Sequence, residues 1–361
     1  MAGQHSLGDA GVTLLMEQWQ SDATLIAADE NWADAQWSRG HSATVISNRC
    51  DIASAAEHAG LNVLFNDFDF SPLAGQLFDC ALLRLPKERP LCHHLINQLF
   101  DTLQPDATVW FCGAKNDGIK TTFNRAVERF GGATAVVSKL KKHGSLYLGA
   151  VRKDNSAGSV LDDQDYPQLR SLAADPLWQS KPGIFGWQKI DRGSELLLQN
   201  WQRLISEGQL AAPERLLDLG CGYGYLGISA GAWLDEREHS CELVLTDNSA
   251  TALLAARVNL DRLSDLLREP SQLLAADGGR DIEGRFELIL CNPPFHQGFS
   301  VDGRLTEKFI AATRRLLKPG GAALFVVNEF IPLERAAEQQ LWVCEIDRRE
   351  GFRILQLELP A

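Results

Sequence analysis

From Leu216 onward the chain alternates short apolar runs with longer amphipathic stretches. The runs are Leu216-Leu217, Leu243-Val244-Leu245, Leu273-Leu274-Ala275-Ala276, Leu288-Ile289-Leu290-Cys291 and Ala323-Leu324-Phe325-Val326-Val327. Continuous apolar runs separated by helix-length segments predict parallel strands joined by crossover helices, in an open α/β sheet. Three of the five runs lead into an acid, at Asp218, Asp247 and Asp277. Ligands of such sheets sit at the carboxyl ends of strands. One aspartate there is more often a turn or cap residue, but the repetition marks a candidate site.

The upstream half carries a blurred version of the same pattern, with residues 24–28, 62–65, 81–85 and 108–112 reading as strands. One stretch aligns between the halves. Phe78-Asp79-Cys80 through Leu103-Gln104-Pro105 resembles Phe286-Glu287-Leu288 through Leu317-Lys318-Pro319, which suggests a duplication. The first copy then carries Leu85-Pro86-Lys87 where the second carries an Asn-Pro-Pro-Phe element, and no glycine-rich turn follows its first strand. It is expected to bind or support rather than to catalyse. Between Lys153 and Gly183 the composition shifts to Asp, Ser and Pro without apolar periodicity. The expected organisation is therefore a first domain over 1–155, a linker over 156–182 and a chemistry-bearing domain over 183–361.

A chain of 361 residues can bury two cores of this kind. Its formal charge of −12 excludes nucleic-acid binding by overall electrostatic attraction, but not by a local patch. Residues 115–153 hold nine cations against Asp117 and Glu128. Within them Lys139, Lys141 and Lys142 are candidate phosphate contacts, and a solvated helix face followed by a lysine-rich turn is the competing reading. The eight cysteines include no Cys-x-x-Cys, so neither a zinc site nor a redox pair is expected and no metal is implied. The N-terminus lacks a basic segment followed by an apolar one, and no stretch approaches the roughly 18 apolar residues of a membrane span. A cytoplasmic protein with no membrane partner is expected, with a monomer as the default.

The turn Asp218-Leu219-Gly220-Cys221-Gly222-Tyr223-Gly224 leaves a strand and enters a helix. Glycines there allow a tight turn and a close ligand approach. Gly222, Gly224 and Gly227 also match the dinucleotide fingerprint, so a nicotinamide oxidoreductase is a rival reading. Asp218 favours a cationic ligand over a pyrophosphate, which needs bare N–H groups. Asp247 can accept from both hydroxyls of a ribose, and Asp277 from an adenine amino group. Asn292-Pro293-Pro294-Phe295-His296 follows an apolar strand. Its prolines leave no N–H to compete, so the Asn292 amide oxygen and the Pro293 carbonyl can both accept from one planar amine. Phe295 offers a face for a stacked base, and His296 can assist proton departure or touch RNA.

Together the glycine turn and Asn292-Pro293-Pro294-Phe295-His296 resemble the signature of class I S-adenosylmethionine-dependent N-methyltransferases. The tandem halves, the segment Pro182-Gly183-Ile184-Phe185-Gly186 through Asp191-Arg192-Gly193-Ser194, and Leu317-Lys318-Pro319-Gly320-Gly321 are similar to the bacterial ribosomal RNA guanine-N2 methyltransferases. The small-subunit 16S enzymes match best, and the large-subunit 23S enzymes next. The resemblance implies two tandem Rossmann-like α/β methyltransferase domains, the N-terminal one degenerate, with S-adenosyl-L-methionine as cofactor and ribosomal RNA of the 30S subunit as partner. It implies that Asp218, Gly220 and Gly222 line the methionine end, Asp247 the ribose and Asp277 the adenine. Asn292, Pro293, Pro294 and Phe295 would take the target guanine, with Asn292 also beside the cofactor, and residues 183–194 would cover the cofactor. One departure stands out. The family pattern begins Phe-Ser-Arg, whereas Phe185 is followed by Gly186-Trp187-Gln188-Lys189, leaving Lys189 or Arg192 to replace that arginine. The Asn-Pro-Pro-aromatic element also occurs in enzymes acting on adenine N6 or glutamine amides, and a non-catalytic RNA-binding protein is a further alternative.

Overall fold

The structure is a computed structural model that describes residues 8–37, 40–154, 156–267, 271–293, 303–337 and 340–360. The chain divides into two units, residues 1–168 and 169–361. In the first, β1 (Thr24–Ala28), β2 (Ala43–Ser47), β3 (Asn62–Phe65), β4 (Phe78–Arg84), β5 (Leu103–Ala114), β6 (Val136–His143) and β7 (Leu146–Arg152) form one sheet, ordered β3-β2-β1-β4-β5-β7-β6. The first five strands are parallel, and β7 with β6 adds an antiparallel hairpin. Helices α1 (Ala10–Met16), α2 (Cys50–His58), α3 (Arg89–Thr102) and α4 (Ile119–Phe130) cover it. Alternation along β1 shows why its whole run is apolar. Leu25 and Ala27 join the core with Leu95 and Phe123, while Ile26 and Ala28 join the opposite core with Val12 and Leu15.

The second unit opens with a short pair, β8 (Arg170–Ser171) and β9 (Gln179–Ser180). Its main strands are β10 (Arg215–Leu219), β11 (Glu242–Asp247), β12 (Gln272–Ala275), β13 (Phe286–Cys291), β14 (Leu317–Asn328), β15 (Trp342–Arg349) and β16 (Phe352–Glu358), ordered β12-β11-β10-β13-β14-β16-β15. Helices α5 (Arg192–Ser206), α6 (Tyr225–Asp235), α7 (Ala250–Arg262), α8 (Gly303–Leu316) and α9 (Leu333–Ala337) accompany them.

The two sheet orders correspond strand for strand, and so do their registers. Phe78 pairs with Leu103 before the register slips to Cys80 and Thr108, just as Phe286 pairs with Leu317 before it slips to Leu288 and Ala322. This supports the duplication, and it aligns single positions. Counted from those phenylalanines, Arg84 stands where Asn292 stands. Arg84 is buried and forks onto Asp9, with Nε–Oδ1 3.1 Å and Nη2–Oδ2 3.2 Å, while its Nη1 donates to Asp117 Oδ2 at 2.8 Å. In the first copy a cation and two acids thus stand at the end of the fourth strand. Lysine cannot fork, so Arg84→Lys is expected to cost the first unit about 1–3 kcal/mol in chemical denaturation.

Residues 156–182, expected as a linker, are shared between the units instead. In the first unit Asn97 exchanges hydrogen bonds with the backbone of Leu161, His93 Nδ1 lies 2.6 Å from the Asp162 carbonyl, and Tyr166 is buried. In the second, the Gln179 backbone pairs with Asn259 at 2.7 and 2.9 Å, and Trp178 packs on Tyr223 and Tyr225. The aspartates that resemble a solvated tether cap local turns, as Asp162 does for Gln164, Asp163 for Asp165 and Asp175 for Leu177.

Candidate active site

β10 ends at Leu219, and the chain turns through Gly220, Gly222 and Gly224 with φ of 81°, 57° and 90° before α6 begins. Side chains rarely adopt such angles. The Gly220 and Cys221 N–H groups donate to the Thr246 carbonyl at 2.9 and 2.8 Å, and the Gly222 N–H donates to Asp247 Oδ2 at 2.9 Å. At Gly227 a Cβ would lie 2.9 Å from Asp218 Oδ2, the atom that accepts the Gly227 N–H at 2.7 Å. That glycine therefore lets α6 approach the acid at the end of β10.

Asp218 is fully buried, and its Oδ1 has no hydrogen-bond partner among the described residues. Burial pushes its carboxyl up to about 7; the Gly227 N–H draws it down and the charge of Asp247 raises it. A buried carboxylate with one oxygen unpaired fits a cationic ligand, since that ligand would supply the missing counter-charge.

The oxygens of Asp247 already accept from Gly222 N and, at 2.8 Å, Ser249 N, so this acid joins the glycine turn to the start of α7. A carboxylate offers about four lone-pair sites, so accepting from these two N–H groups does not by itself exclude a hydroxyl donor. Asp277 differs from the simple acceptor expected: its Oδ1 and Oδ2 lie 2.8 and 2.6 Å from Lys308 Nζ on α8, and Asn248 Nδ2 donates to Oδ1 at 3.0 Å. An adenine amino group would share or displace that ammonium.

Asn292 and Pro293 follow β13 and line a cavity of about 70 Å³ together with Phe185, Asp191, Asn328 and Phe352. Asn292 Nδ2 donates to Asp191 Oδ2 and to Ser194 Oγ, both at 2.8 Å. With Nδ2 donating to both, Oδ1 is the acceptor the amide has left to offer. Pro294, Phe295 and His296 lie outside the described residues. The structure thus joins Asp218, Gly220, Gly222 and Asp247 through one turn, and places Asn292 beside Asp191 and Ser194.

The contacts of Asp191, Ser194 and Lys308 have no signal in the sequence. Asp191 is legible there only as a helix cap, accepting the Ser194 N–H at 2.8 Å. Arg192, one candidate for the departed arginine, is committed to Glu350 at 2.7 Å and Glu195 at 2.9 Å, whereas Lys189 is exposed. The lysine-rich segment is no turn. Lys139, Lys141 and Lys142 are placed on the edge strand β6, and none forms an ion pair among the described residues. Two other cations of that stretch are structural: Arg129 pairs with Asp101 and stacks over Phe100, and Lys153 donates to the Leu103 carbonyl. The described residues contain no cluster of potential metal ligands and no helix long and apolar enough to cross a membrane.

A doubly wound sheet, a glycine turn pinned to acids on neighbouring strands and an Asn-Pro pair after the fourth strand define a class I methyltransferase domain, and residues 177–356 match the family model "Methyltransferase small domain". The chain is 33% identical to the ribosomal RNA small subunit methyltransferase C of Pseudomonas syringae pv. syringae over 85% of this chain and 87% of that protein, and 32% identical to that of Stutzerimonas stutzeri over 80% and 81%. A T. thermophilus 16S rRNA N2 methyltransferase of guanine 1207, solved with AdoMet and guanosine, shares the fold with a TM-score of 0.75 at 21% identity, covering 98% of this chain and 92% of that one. The chain belongs to the ribosomal RNA small subunit methyltransferase C family.

Proposed function

We propose that this protein transfers a methyl group from S-adenosylmethionine to the exocyclic N2 amine of a guanine in 16S ribosomal RNA, in the setting of the 30S subunit in the cytoplasm. The observation that carries the reading is the orientation of Asn292, whose Nδ2 is held by Asp191 and Ser194 so that Oδ1 is left as an acceptor. When bound, the cofactor supplies an electrophilic methyl on a sulfonium centre. Asp218 offers that end of the ligand a buried carboxylate with one oxygen unpaired. Gly220 and Gly222 would keep side chains out of its path, Asp247 would accept from the ribose, and Asp277, which holds Lys308, would accept from the adenine.

The residues act on the amine by position and charge. A guanine amine is a weak nucleophile because its lone pair is conjugated with the ring. Two acceptors on its hydrogens, Asn292 Oδ1 and the Pro293 carbonyl, turn that lone pair toward the electrophile and stabilise the positive charge that grows on nitrogen. By residue type alone, Pro294 would restrict the backbone, Phe295 would offer a face to the base, and His296 would assist proton departure or touch RNA.

The deciding experiment offers labelled S-adenosylmethionine with 30S subunits, 50S subunits and naked rRNA from cells lacking the protein. N2-methylguanine in the 30S fraction is expected. Label in the 50S fraction, or in N6-methyladenine, would overturn the substrate assigned here, and no transfer by a protein that binds the cofactor would overturn the activity.

The lysines of β6 suit phosphate contact by the degenerate unit. Replacing Lys139, Lys141 and Lys142 with alanine is expected to lower the slope of log affinity against log salt by about 2, since each phosphate left without its lysine removes roughly 0.7–0.9. Filter binding to 16S rRNA at several salt concentrations reads this. An unchanged slope would remove these lysines from the interface.

A further inference from the structure

The structure assigns Asp191 and Ser194 a positioning role: they select the one orientation of the Asn292 amide that presents an acceptor to the substrate amine. This rests on the reading that Asn292 Oδ1 receives that amine. The two ends of an asparagine amide have nearly the same shape, so packing alone does not choose between them, and a flip would set a donor against a donor. Here the choice is electrostatic. Asp191 Oδ2 and Ser194 Oγ each take one Nδ2 hydrogen at 2.8 Å, and a flipped amide would set its oxygen against a carboxylate.

The carboxylate is itself fixed by the backbone. Its Oδ2 caps α5 by accepting the Ser194 N–H at 2.8 Å, so the orientation of the amide is set by the start of a helix. Gly193 makes room for this. A Cβ there would lie 3.0 Å from Asp191 Oδ2 and 3.0 Å from the Phe352 ring.

The first unit separates what the fold needs from what the chemistry needs. Asp9 caps α1 there, accepting from Gly11 N at 2.7 Å and Val12 N at 3.0 Å, and holds Arg84 at the register position of Asn292. Gly11 matches Gly193, since its Cβ would lie 2.8 Å from Asp9 Oδ1 and 2.8 Å from Arg84 Nε. The bracket of capping acid, glycine and fourth-strand end is thus common to both copies. What differs is the amide and the hydroxyl: Asn292 and Ser194 in the second unit, Arg84 and Val12 in the first. The fold closes with a valine at that helix position, so the Ser194 hydroxyl serves the amide.

The test combines Asp191→Ser, Asp191→Asn, Ser194→Ala and Asn292→Ala in a double-mutant cycle on the full-length protein with 30S subunits as substrate, reading kcat and KM in the steady state and cofactor affinity by direct binding. Asp191→Ser keeps an oxygen for the cap but falls short of Asn292. It is expected to lower kcat by about 10- to 100-fold, with cofactor and subunit affinities within about twofold. Asp191→Asn keeps the capped oxygen in place and should lose less. In the Asn292→Ala background neither Asp191→Ser nor Ser194→Ala should cost anything further. Additive losses, or an Asp191→Ser enzyme with unchanged kcat, would overturn the positioning role while leaving Asn292 in place. Full transfer by Asn292→Ala would instead overturn the underlying reading. If Asp191→Ser does not fold, the Ser194→Ala and Asn292→Ala cycle decides the matter, because Ser194→Ala leaves the cap intact.

Discussion

Asn292→Ala is expected to lower kcat for methyl transfer by about 10²–10³-fold, the usual cost of removing one preorganised group from a developing charge. The loss should fall on kcat rather than on KM. In the proposed reaction stacking and phosphate contacts would hold the base and the RNA in ground and transition state alike, whereas the Asn292 acceptor would strengthen its bond only as the amine becomes positive. Alanine also frees Asp191 Oδ2 and Ser194 Oγ of the amide they hold, but Asp191 keeps its cap bond to Ser194 N, so α5 should start where it does now. Single-turnover transfer to 30S subunits, with cofactor binding measured in parallel, checks both points. A loss confined to KM would make Asn292 a docking residue. A variant that no longer binds the cofactor would move it from the amine to the cofactor side of the site.

Much of the scaffold behind that residue is legible in the sequence because it is a matter of apolar periodicity. All five strands anticipated after Leu216 form, and β10, β11 and the stretch after β12 do lead into Asp218, Asp247 and Asp277. β2, Ala43-Thr44-Val45-Ile46-Ser47, escapes notice because only its middle is strongly apolar, although every residue in it is buried. The edge strand β6 is not anticipated as a strand, and a lysine-rich turn is a competing reading there, because its residues are largely exposed and only one edge of its backbone is paired. Partners of polar groups are the least legible part. Nothing in the spacing links Asp191 to Asn292 or Lys308 to Asp277, because those contacts arise only once helices dock at strand ends. The first copy shows the same limit: Arg84 reads as a residue inside the run 81–85, and its correspondence to Asn292 emerges only from the register.

Cofactor binding is expected to weaken as the pH falls below about 7, and Asp218→Asn should abolish that dependence while lowering affinity by about 10²-fold. The Asp218 carboxyl, pushed up to about 7 by burial, is half protonated near neutrality in the free protein. A cationic ligand beside Oδ1 favours the ionised form, so binding expels a proton at any pH below that value. Affinity should then drop by up to about tenfold per pH unit on the acid side and level off above about pH 7.5. For folding the sign is reversed. The carboxyl titrates at an ordinary 3.8 in the unfolded chain and about 7 in the native one, so the native state holds the extra proton between those values. The ligand-free protein should accordingly lose stability as the pH rises through that window, and the bound protein should lose less. Asparagine keeps an oxygen for the Gly227 N–H but carries no charge, so the variant should be at least as stable as the parent near pH 7 and bind weakly at every pH. Calorimetric titration with S-adenosylmethionine in two buffers of different ionisation enthalpy, from about pH 6 to about pH 8, counts the released proton directly. A parent protein that releases none, with an affinity flat across that range, would show that the Asp218 carboxylate does not face the cationic end of the ligand.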